Sequence, residues 1–153
     1  MKIRYEKAVL ADIKRMQDIV FSEVKTGTVL ERTEDEMATN IRSYTVVKSD
    51  DFIIGFVALH IHTPTLAEVR SLVVDPSFRG DGIGAELVRV VLDEAKSLGL
   101  KEVLSLTYAQ EFFERLGFFE IPKENLPEHK IWADCIKCHH FPVCNEVSLI
   151  KAI

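Results

Sequence analysis

The sequence lacks a surplus of positive charge: 19 Lys and Arg stand against 24 Asp and Glu, a net charge of -5. That excludes the broad basic face with which a nucleic-acid binder displaces counterions, so no nucleic-acid partner is expected. No apolar run approaches the roughly 20 residues of a membrane-spanning helix. The opening Met1-Lys2-Ile3-Arg4-Tyr5 has none of the apolar stretch of a secretory leader. The expectation is a cytoplasmic protein without a membrane partner. Cysteine is scarce, with three residues between positions 135 and 144, an odd number that builds no disulfide framework. Internal repeats, low-complexity tracts and interdomain linkers are missing too. What is present, 47% hydrophobic and 28% charged residues over 153 positions, predicts one domain spanning 1–153 with a core of its own.

The pattern along the chain alternates between two periods. Residues 2–5 alternate as a short strand. From Asp12, a fitting N-cap, Ile13, Met16, Ile19 and Val20 recur at helical spacing. Thr33 and Glu36 form a capping box, and Met37, Ile41 and Tyr44 mark one face of a second helix. Residues 45–48 and 52–59 are rich in β-branched and aromatic side chains and read as a hairpin. A strand over residues 66–74 stops at Asp75-Pro76. After the glycines that follow, Ile83, Leu87, Val90, Val91, Ala95 and Leu98 form the stripe of a helix closed by Gly99. A short strand over 103–107, a short helix over 111–116 stopped by Gly117, a loop-rich stretch and a last strand over 147–150 complete the order. This is an α+β or mixed α/β pattern centred on a sheet.

The chemistry concentrates where the strand over 66–74 meets the glycines. Closely spaced Gly80, Gly82 and Gly84 leave backbone N–H groups uncovered, and a helix beginning there adds partial positive charge, so the junction suits a phosphate group. A P-loop is excluded because Ala85-Glu86 follows where Lys-Ser or Lys-Thr is needed. Gly80-Asp81-Gly82-Ile83-Gly84-Ala85 also matches the dinucleotide fingerprint literally, but residues 75–79 separate it from its strand and no parallel βαβαβ half accompanies it.

The remaining pattern is Arg-x-x-Gly-x-Gly, filled by Arg79, Gly82 and Gly84 after Leu72-Val73-Val74. With the element order and Phe112-Phe113-Glu114-Arg115-Leu116-Gly117-Phe118 downstream, the chain resembles the GNAT superfamily of acetyl-CoA-dependent N-acetyltransferases over nearly its whole length. The resemblance implies a central, mostly antiparallel twisted sheet flanked by helices, with acetyl-CoA as cosubstrate. The backbone of Gly80, Asp81, Gly82, Ile83, Gly84 and Ala85 and the charge of Arg79 suit the pyrophosphate of coenzyme A. Leu72, Val73 and Val74 run beside its pantetheine arm, which Val73 and Val74 can pair as if it were a further strand.

Transfer to an amine needs a base, and Glu68 is the candidate; period-two alternation puts Glu68, Arg70 and Leu72 on one face. An exposed Glu68 paired with Arg70 is the bland alternative. Many members of the superfamily place an acidic tyrosine in the later helix, where this chain has Phe113. Tyr108 is the nearest substitute as phenol donor.

A narrower resemblance, to short bacterial N-acetylglutamate synthases of arginine biosynthesis, lies in three segments. They are Glu31-Arg32-Thr33 with Asn40-Ile41-Arg42, Leu106-Thr107-Tyr108, and His129-Lys130-Ile131-Trp132 through Cys144-Asn145-Glu146. It implies transfer to the α-amine of L-glutamate, an amino-acid partner whose two carboxylates call for cationic clamps. Arg32, Arg70 and Lys130 are the candidates. A different amine acceptor and a noncatalytic acyl-CoA-binding module stay open, and a homodimer is compatible with the sequence. Cys135-x-x-Cys138 with Cys144 and His139-His140 has the ligand types of a zinc site, but no second pair completes it. Cysteines in such loops also serve as small buried hydrophobes, and no metal is expected.

Overall fold

The computed structural model describes residues 2–25, 32–125 and 146–153. Seven strands form one sheet: β1 (Ile3–Lys7), β2 (Tyr44–Ser49), β3 (Phe52–Ile61), β4 (Leu66–Val74), β5 (Glu102–Thr107), β6 (Phe119–Ile121) and β7 (Val147–Ala152), in the order β1-β2-β3-β4-β5-β7-β6. Every neighbouring pair is antiparallel except β4 with β5. Helices α1 (Ile13–Lys25) and α2 (Glu34–Thr39) cover one face, and α3 (Ile83–Ser97) and α4 (Gln110–Arg115) lie toward the other. The mostly antiparallel, helix-flanked sheet is the expected architecture.

Both faces of β3 are covered, which is why Phe52–Ile61 reads as a nearly unbroken apolar run instead of alternating. Val47, Val57, Leu59, Val69, Leu87, Val88, Val91 and Val103 fill the core under α3, while Met16, Ile19, Met37, Tyr44, Val46, Phe56 and Val73 fill that under α1 and α2. Each fully buried aliphatic side chain of this kind contributes about 1.5–3 kcal/mol. Among the described residues no helix is long and apolar enough to cross a membrane.

Local chemistry sets the element ends. Thr33 Oγ1 accepts from the Glu36 N–H at 3.1 Å, and Glu36 Oε1 accepts from the Thr33 N–H at 3.2 Å, so the expected capping box opens α2. Four differences from the sequence expectation stand out. The second helix stops at Thr39, and Tyr44 begins β2. Asp12 closes a short 3-10 turn before α1, where its carboxylate accepts from the Val9 N–H at 2.9 Å. The α3 stripe runs through Val88 and Leu92, while Leu98, at the C-cap, is 56% exposed. Finally β6, three residues paired with β7, has too few positions to show a period.

Candidate active site

β4 and β5 pair in parallel from Leu66–Glu102 to Val69–Ser105 and then part. β4 continues to Val74, leaving about 15 Å of strand edge open at roughly 3.3 Å per residue. A cavity of about 810 Å³ occupies this opening. Its walls are β4 from Val69 to Val74, the far end of β5 with Tyr108, and Phe112 and Phe113 of α4; the glycine turn closes one end.

A β-bulge divides β4. Phe56 faces Val73 and Ala58 faces Arg70, so Ser71 and Leu72 together oppose Val57; Ser71 takes the left-handed conformation, φ 57°. The extra residue reverses the alternation. Ala67 and Val69 face the α3 core, but so do Leu72 and Val74, while Val73 joins the α1 core. Leu72 therefore leaves the face of Glu68 and Arg70, which corrects the period-two expectation. The backbone is redirected too. The Asp75 N–H donates to the Ile54 carbonyl at 2.7 Å, and with antiparallel alternation this turns Val73 toward β3 and Val74 toward the open edge. Only Val74 of the expected pair presents its polar groups there, and its carbonyl accepts from Arg79 Nε at 3.0 Å.

The turn beyond β4 is held from behind. Asp75 Oδ1 accepts from the Ser77 N–H at 2.9 Å, and Oδ2 accepts from Arg15 Nη2 of α1 at 3.0 Å. These contacts, the Ser77 N–H first and Arg15 next, hold the Asp75 carboxyl below its ordinary value against the opposing effect of burial. Arg15 also donates to the Ile53 carbonyl and stacks 4.1 Å over the Phe52 ring. Gly82 is the N-cap of α3 at φ 77°, a conformation that an L side chain adopts only with strain. The first N–H groups of α3 have no intrahelical partner and sit at the cavity with Arg79, Gly80, Gly82, Ile83, Gly84 and Ala85. Asp81 is exposed and is not among the lining residues. Arg89 and Arg115 also reach the rim, each paired with a neighbouring glutamate. Arg89 was legible in principle, since it lies two helical turns beyond Gly82 on one face.

The opposite face of β4 is built from side chains. Glu68 is 1% exposed, within 2.9 Å of His62 Nε2, an N–H donor to a carboxylate oxygen, and it is not among the lining residues. Arg70 does line the cavity, and its Nη2 donates to His60 Nδ1 at 2.9 Å. Arg32 lies at the start of α2, where its carbonyl accepts from Gln17 Nε2. Burial pushes the Tyr44 phenol above its ordinary value; Arg32 and Arg70 pull it back down and Glu36 adds to the rise, so both arginines act on one buried ring. The structure thus brings Arg70 and Glu68 to one face with His60 and His62, two histidines that sequence reasoning missed, while Arg32 does not line the cavity. The signal available was His60 beside Glu68 once the hairpin register is drawn. Tyr108, 43% exposed, lines the cavity across from β4. Phe113, 3% exposed, packs edge-on against Phe112 and Phe118 and can donate no proton. Lys130, Cys135, Cys138, Cys144, His139 and His140 lie outside the described residues, among which no group of three or more His, Cys, Asp or Glu could hold a metal ion.

An open strand edge leading into a glycine turn and a helix N-terminus is an arrangement for an extended carrier with a phosphorylated end. Residues 10–118 match the model of the acetyltransferase (GNAT) family, and the chain belongs to that family. It is 36% identical over 146 residues to an uncharacterised N-acetyltransferase of Chlorobaculum tepidum, covering 95% of this chain and 94% of the relative. It is 44% identical over 69 residues to an amino-acid acetyltransferase of Mycobacterium tuberculosis, covering 45% of this chain and 40% of that one. Among solved structures it superposes on the N-acetylglutamate synthase of Neisseria gonorrhoeae, complexed with coenzyme A and N-acetyl-glutamate. The TM-score is 0.88 at 20% identity, over 99% of this chain and 35% of that one, which shows a common fold.

Proposed function

We propose that the protein transfers the acetyl group of acetyl-CoA to the α-amine of an amino acid, with L-glutamate the acceptor best supported. The observation that carries the donor half is the open edge of β4 running into the turn at Gly80 and Gly82. There the Val74 N–H, the first amides of α3 and the Arg79 guanidinium suit the amide arm and pyrophosphate of coenzyme A. The acceptor half rests on Arg70 at the cavity wall, held by His60 beside a buried carboxylate, and on the name carried by the Mycobacterium tuberculosis relative. In this reading Arg70 and Arg32 hold the acceptor's carboxylates, and Lys130 is a third candidate. The neutral amine attacks the thioester carbon, Glu68 receives the amine's proton directly or through water, and Tyr108 supplies a proton to the departing thiolate.

Thiol release from acetyl-CoA against a panel of amino acids and amines tests this reading. Turnover confined to glutamate is the expected outcome, and a preference for an amine without carboxylates overturns it. A second reading, a noncatalytic acyl-CoA-binding module, draws on Phe113, which packs against Phe112 and Phe118 and brings no proton donor to the cavity. Tight coenzyme A binding with no turnover of any amine would establish that one.

A further inference from the structure

β3 and β4 place His60 directly opposite Glu68, and Arg70 directly opposite Ala58, so His60 and Arg70 are diagonal neighbours on one face. Arg70 Nη2 donates to His60 Nδ1 at 2.9 Å. A guanidinium carries donors only, so Nδ1 must present its lone pair, and the ring is the neutral form with its proton on Nε2. Protonating Nδ1 would remove the acceptor and set one cation against another. The ring is also held from its other side: it packs edge-on against His62, centroids 4.8 Å apart at 75°. His62 in turn is tied to buried Glu68. Arg70 is thus a long, flexible side chain with one arm fixed in place at the wall of the cavity.

We propose that His60 is a positioning residue of the acceptor site: as a neutral hydrogen-bond acceptor it fixes one arm of the Arg70 fork and thereby orients the guanidinium for a carboxylate of the acceptor. The proposal rests on the acceptor reading above. It assigns His60 a role in recognition, set apart from proton transfer, because its Nδ1 lone pair is committed to Arg70.

The test uses the full chain with saturating acetyl-CoA and three acceptors: L-glutamate, its α-amide and its γ-amide. In the wild type both amides are accepted less well than glutamate, and the amide whose gap responds to His60 substitution identifies the carboxylate that Arg70 meets. His60→Phe raises the glutamate KM about tenfold, as expected for a misaligned charge-assisted pair, and narrows the gap between glutamate and that amide. His60→Asn, whose amide oxygen can accept from Arg70, recovers most of the loss. The acetyl-CoA KM is the same in all three proteins, which a general loss of packing would not give. Long-range proton–nitrogen NMR at mildly alkaline pH reads the tautomer independently and should find the His60 proton on Nε2. A proton on Nδ1 overturns the proposal whatever the acceptor. An unchanged glutamate KM in His60→Phe also overturns it, while leaving the acceptor reading standing. A wild type that does not distinguish glutamate from either amide instead overturns the acceptor reading, and with it Arg70 as a clamp.

Discussion

The two sides of β4 reach their chemistry by opposite routes. On the α3 side the candidate site is mostly backbone: the Val74 edge, the turn through Gly80 and Gly82, and the first amides of α3, joined by the Arg79 side chain, all contributed by one contiguous segment. On the other side it is made of side chains from separate elements: Arg32 before α2, Tyr44 on β2, His60 on β3, His62 in the loop after it, and Glu68 and Arg70 on β4. A backbone site depends on conformation and tolerates exchange of side chains. A side-chain site depends on register and is lost with one atom.

The sharpest way to break the comparison is Glu68→Gln, for which the proposed base role predicts a fall in turnover of about a hundredfold or more, largest at low pH where the amine is protonated, with acetyl-CoA affinity unchanged. Identical pH–rate profiles for the two proteins would remove Glu68 as base. Next in size is Gly82→Ala. The residue sits at φ 77° with open space around it, so the cost is conformational, about 1–2 kcal/mol, and should weaken acetyl-CoA binding about tenfold with no change in glutamate KM. An effect on glutamate KM alone would erase the division between the sides. Gly84→Ala sharpens the contrast: inside α3, its added methyl would stand 3.6 Å from Phe112, an ordinary contact, so coenzyme A titration should barely distinguish it from the wild type.

The smallest effect is on stability. The Asp75 carboxyl is held below its ordinary value by Ser77 and Arg15, so it stabilises the fold above about pH 4, the value for an unfolded aspartate, and that contribution is lost as pH falls through the lower folded value. Asp75→Asn should therefore lower Tm slightly at neutral pH and flatten its decline in acid. Parallel Tm–pH curves would show that the turn does not depend on this charge.

Legibility in the sequence follows the same division. The strand Leu66–Val74 and the helix after it were evident because β-branched residues, Asp75-Pro76 and the glycines are all local signals. The Arg79-x-x-Gly82-x-Gly84 pattern carried the donor half for the same reason. The bulge at Ser71 was not evident, since no glycine or proline marks it, and so Leu72 was expected on the wrong face. Tyr44 extended a helical pattern by chance of spacing, although the chain turns into β2 there. His60 and His62 gave no local signal, because their meaning depends on the pairing of His60 with Glu68, which emerges only once the β3–β4 register is drawn.

The single extra residue at Ser71 also has a consequence for how such a protein can change. Upstream of it, Glu68 and Arg70 share the face of His60; downstream, Val73 and Val74 keep their own register against β3. The irregularity works as a joint between two parts of one strand, so under the proposed function a change of side chain at 68 or 70 should leave the backbone that meets the acyl carrier in place.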